Sequence, residues 1–68
     1  MKTMYDIQQL LKQYGIFIYT RNRGNDLELM EEEIRELYTM ELVDVKTYQQ
    51  ALLILRQEKR ENTVIKGD

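Results

Sequence analysis

The chain has 68 residues, ten basic and twelve acidic, and contains no Cys, His, Pro or Trp. A chain of that length is one domain at most, with a thin core: small domains bury about 60% of the surface their unfolded chain exposes. Without Cys or His it has no disulfide, no thiol chemistry, and neither the commonest metal ligand nor the usual near-neutral acid–base group.

A first helix is predicted from Thr3 or Met4 to about Tyr14. Thr3 followed by Asp6 resembles a capping box, and an acid suits the positive end of a helix. Tyr5, Ile7, Leu10, Leu11 and Tyr14 recur at spacings of three and four as an inner stripe. Gly15 is the natural stop, because it enters the left-handed region without a Cβ clash.

Residues 16–20, "IFIYT", are all β-branched or aromatic, which favours an extended connection. A single strand has no partner in such a chain, so no sheet is expected. Alternation places Phe17 and Tyr19 on one side and Ile16 and Ile18 on the other. A short helical turn through the same residues is the alternative.

The second helix is expected to begin after "GND", capped by Asn25 or Asp26, with Glu28, Glu31, Glu32 and Glu33 in its first half. Leu27, Met30, Ile34, Leu37 and Tyr38 form its inner stripe, and it ends near Met40 or Glu41. Asp44 is a good cap for a third helix. Val45, Tyr48, Ala51, Leu52 and Leu55 line the buried face of that helix, widened by Leu53 and Ile54. It fades through residues 56–61. Three amphipathic helices with short connections make an all-α, three-helix bundle over residues 1–61, with residues 62–68 expected to fray.

No apolar run approaches the roughly 18 residues of a membrane span, and the N-terminus lacks a signal-peptide pattern. A cytoplasmic protein without a membrane partner is expected. The net charge of −2 conceals a strong polarity. Residues 1–24 carry +3, residues 25–45 carry −7 and residues 46–68 carry +2. A charged partner responds to such local surfaces more than to the average.

The consecutive acids Glu31, Glu32 and Glu33 point about 100° apart on a helix, so they do not converge on one ion and read as a solvated face. No catalytic or phosphate-binding fingerprint occurs, so neither an enzyme nor a cofactor is expected. The second and third helices have the outline of a helix-turn-helix, with Gln49 and Gln50 facing outward. The acidic helix before them would repel DNA phosphates.

The stretch "YTRNRGND", residues 19–26, is the strongest candidate site. Arg21 and Arg23, with Lys12, offer cations for phosphates, and Tyr14, Phe17 and Tyr19 offer rings for bases; that combination is the equipment of single-strand binding. The opposing reading puts Phe17 and one or both tyrosines in the core and pairs the arginines with the acidic second helix, through Asp26, Glu28 or Glu32.

Over residues 3–60, "YDIQQLLKQYGIFIYTRNRGNDLELMEEEIRELY" and "DVKTYQQALLILRQE" resemble the YqgQ family of short cytosolic proteins from Gram-positive bacteria. The resemblance implies a three-helix bundle with no established enzyme activity. It also implies single-stranded nucleic-acid binding, with the matching motif at Tyr19, Arg21 and Arg23. The leading expectation is therefore a helical module binding single-stranded DNA or RNA. The rival is an adaptor that meets another protein, or itself, through the acidic second helix and exposed apolar residues such as Leu29 or Ile54.

Overall fold

The computed structural model describes residues 1–66, with side chains as far as Glu61. Three helices make up the architecture, α1 (Met4–Gln13), α2 (Arg23–Thr39) and α3 (Val45–Lys66), with no strand among the described residues. α3 stays helical past residue 61; the rest of the tail expected to fray, including every side chain of residues 62–68, lies outside the described residues.

The capping box at the start of α1 is complete. The Asp6 amide donates to Thr3 Oγ1 at 3.3 Å, and the Thr3 amide donates back to Asp6 Oδ2 at 3.1 Å. The Lys2 amide adds a third bond at 2.7 Å. The donations from Lys2 and then Thr3 hold the Asp6 carboxyl below its ordinary pKa, because each favours the charged form.

α1 ends in a Schellman motif. Gly15 has φ 74°, its amide donates to the Lys12 carbonyl at 2.9 Å, and the Ile16 amide reaches back to the Leu11 carbonyl at 3.0 Å. These bonds satisfy carbonyls that the helix end would leave orphaned. α2 ends the same way, with the Glu41 amide on the Tyr38 carbonyl and the Leu42 amide on the Leu37 carbonyl, both at 2.9 Å. Its left-handed residue is Glu41, at φ 63°, where glycine would carry less strain.

α2 begins earlier than expected. Its cap is Asn22, not Asn25 or Asp26: Asn22 is extended, and its Oδ1 accepts the Asn25 amide at 2.9 Å. Arg21, at φ 67°, turns the chain into this cap, so Gly24 and Asn25 lie inside the first turn despite their poor helix propensity. Asp44 caps α3 as expected, accepting the Thr47 amide at 2.9 Å. Its hydrogen bonding with Thr47 lowers the Asp44 pKa.

Ile7, Leu11, Leu27, Met30, Ile34, Leu37, Ala51 and Leu55 form one buried cluster drawn from all three helices. Fully burying a large aliphatic side chain contributes about 1.5–3 kcal/mol. Tyr38 at the end of α2 stacks on Tyr48 at the start of α3, with centroids 4.2 Å apart and planes 3° from parallel. At the other end Arg23 meets Glu58, so α2 and α3 run antiparallel. Some residues expected inside lie outside. Tyr5, Tyr14, Tyr38, Val45 and Leu53 are exposed, because three helices of this length cannot cover the whole width of every stripe.

Candidate nucleic-acid interface

The connection between α1 and α2 leaves the helical core at Gly15 and returns at Asn22. Residues 16–20 are in neither helix nor strand, and residues 16–19 alternate in burial as their sequence predicts. Ile16 and Ile18 are half-buried against the core cluster, whereas Phe17 and Tyr19 are 73% and 79% exposed. The opposing reading, in which these two aromatics are core, is therefore corrected. Helices already occupy the core side, and the period of two turns every other side chain away from it.

The far end of the segment is tied down by Asp26. This carboxylate is only 7% exposed and accepts two bonds from Thr20, from its amide at 2.8 Å and its hydroxyl at 2.7 Å. Between these anchors, no hydrogen bond engages the backbone of Phe17, Ile18 or Tyr19 among the described residues.

A groove of about 300 Å³ runs between this segment and the second half of α1. Leu11, Ile16, Ile18 and Met30 contribute its apolar surface, and Gln8, Lys12, Phe17 and Tyr19 complete the lining. Of the six residues singled out from the sequence, the groove brings together Lys12, Phe17 and Tyr19. Arg21 lies two residues beyond Tyr19, exposed and without an ion pair among the described residues.

Tyr14 and Arg23 are otherwise engaged. The Tyr14 hydroxyl donates to the Leu42 carbonyl at 3.1 Å, joining α1 to the loop between α2 and α3. Arg23 Nη2 lies 3.1 Å from Glu58 Oε1. The expected pairing of the arginines with Asp26, Glu28 or Glu32 of α2 does not occur: Arg23 finds its acid on α3, and the Asp26 carboxylate is taken by Thr20.

The acids of α2 are mostly a solvated face. Glu31 is the exception, paired with Arg35 at 2.7 Å and with Lys59, whose hydrogen bond is the main cause of its lowered pKa. Sequence reasoning missed Gln8 and the groove floor. The one available signal is the i, i+4 spacing of Gln8 and Lys12, which places both on one face of α1.

Fold and groove together define a small three-helix module that presents two exposed aromatics and two uncommitted cations beside an apolar cleft. A family model described as YqgQ-like matches residues 1–61. A protein described as "Uncharacterized protein YqgQ", from Bacillus subtilis (strain 168), is 38% identical over 58 residues, covering 85% of this chain and 82% of its own length. The chain belongs to the YqgQ-like family.

Proposed function

We propose that the protein is a binding module for single-stranded nucleic acid, working through Phe17, Tyr19, Lys12 and Arg21. The observation that carries the reading is the exposure of both aromatic rings on a non-helical segment flanked by Lys12 and Arg21, cations without an ion pair among the described residues. Each base has a π-face, so ring stacking is tolerant of sequence, while the cations meet phosphates. Duplex DNA hides those faces. α2, which would cross the duplex in a helix-turn-helix arrangement, carries the acids that oppose it. A cytoplasmic location goes with this reading.

Anisotropy of a fluorescein-labelled single-stranded 12-mer tests it. Binding should be measurable at low salt and stronger than for the same sequence as duplex. With two phosphates neutralised, log K should fall against log salt with a slope of about −1.4, at about −0.7 per phosphate for single strands. Absence of binding at high micromolar protein rejects the reading.

The rival, a protein contact through α2, has less support. Leu29 is partly exposed, but Ile54 packs on the core, and single exposed apolar residues are ordinary on a protein surface. Loss of a protein partner in Leu29→Glu, with oligonucleotide binding absent, would favour it.

A further inference from the structure

The groove does more than border the aromatic face. Building on the single-strand reading, we propose that it takes one base out of the strand, while the neighbouring phosphates rest on Lys12 and Arg21.

Three observations lead there. The first is size. At about 300 Å³ the groove lies at the lower end of small-molecule sites, so it admits one ring system and not a stacked run. Its floor of Leu11, Ile16, Ile18 and Met30 suits the flat, apolar body of a base.

The second is hydrogen-bonding capacity. Gln8 carries both a donor and an acceptor on its amide, and it lines the groove. The amides and carbonyls of Phe17, Ile18 and Tyr19 have no partner among the described residues. A base has donors and acceptors on its Watson–Crick edge, and only an unpaired strand leaves that edge open.

The third is charge. Lys12 lines the groove, and Arg21 follows the segment that walls it. Neither has an ion pair among the described residues. A ligand with an apolar ring on an anionic backbone satisfies the cleft and both cations together. A neutral peptide side chain entering the same cleft would leave the cations unmatched.

The test is methyl NMR of the full chain titrated with (dA)6, and with a hexamer of abasic sugar-phosphate as the base-free probe. Insertion predicts upfield ring-current shifts for the methyls of Leu11, Ile16, Ile18 and Met30 with (dA)6. The abasic hexamer should bind at least about fivefold more weakly, in line with the loss of one stacked base, and perturb only the surroundings of Lys12 and Arg21. Gln8→Trp, at an exposed position of α1, should fill the cleft, remove the floor shifts and weaken (dA)6 binding by about tenfold.

If (dA)6 binds without moving the methyls of Leu11, Ile16, Ile18 and Met30, insertion is overturned and surface stacking on Phe17 and Tyr19 stands. Equal affinity for the abasic hexamer also overturns insertion, since the base is then not recognised. If neither oligonucleotide binds, both the insertion and the single-strand reading fail.

Discussion

The two connections of this bundle start alike and end differently. Each leaves its helix through a Schellman motif with a left-handed residue, Gly15 in one and Glu41 in the other. After Glu41 the chain needs only Leu42 and Val43 before Asp44 caps α3, and of those two only Leu42 is exposed. After Gly15 it runs without helix to Asn22, pinned by Ile16 and Ile18 on the core and by Thr20 on Asp26. A short link closes a helix pair. A longer link held at both ends becomes a ledge whose second face is exposed. The aromatics sit on that ledge, which is why a chain with so thin a core can hold Phe17 and Tyr19 in solvent.

The sharpest way to break this contrast is to release the ledge. Asp26→Ala removes the acceptor of both Thr20 bonds and should cost about 2–3 kcal/mol, since hydrogen bonds to a charged group are the stronger kind. Urea denaturation measures it, and oligonucleotide affinity should fall with it. An unchanged midpoint would mean that Ile16 and Ile18 suffice to hold the segment.

Stripping the free face should do the reverse. Phe17→Ala with Tyr19→Ala should leave the unfolding free energy from urea denaturation within about 0.5 kcal/mol of the parent, because both rings are exposed. Single-strand binding should lose about 1–3 kcal/mol per stacked base by anisotropy. A large loss of stability would show that the rings support the fold.

The two helix ends can then be compared directly. Gly15→Ala meets no atom within 4 Å, so its expected cost of about 1 kcal/mol is purely that of a left-handed backbone. Glu41→Gly should shift stability the opposite way, by about 0.5–1 kcal/mol. Thermal melts of the two variants should move in opposite directions.

The smallest effect concerns pH. Asp6, Glu31 and Asp44 all have folded-state pKa values below the ordinary ones. Their contribution is fully present above the ordinary carboxylate range and is lost as pH falls through the lowered values. Their part of the stability should be flat above about pH 5 and decline below about pH 4. Glu31→Gln should flatten part of that decline, through the loss of its bonds to Lys59 and Arg35. An unchanged acid slope would show that those bonds add no pH-dependent stability.

Much of this molecule is legible in its sequence where the signal is local. The cap and box at Thr3 and Asp6, the stop at Gly15 and the cap at Asp44 each depend on residues within five positions of one another. The alternation of residues 16–20 depends on a period of two. The start of α2 was misplaced because Asn22, Asn25 and Asp26 are all competent caps. The choice among them rests on Thr20, which occupies Asp26, and on the left-handed turn at Arg21.

What the sequence by itself determined is the three helices, most of their ends and the two faces of the connecting segment, since these follow from hydrogen bonds and periodicities a few residues long. Only the tertiary structure decided which face was covered, that Arg23 would be drawn to an acid 35 positions away, and that Arg21 would be left without one. It also decided that α1 and the ledge would enclose a groove. The physical reason is that burial and ion pairing between distant segments depend on where packing brings them. In this chain that packing is set by the shared core of Leu11, Leu27, Ile34 and Leu55.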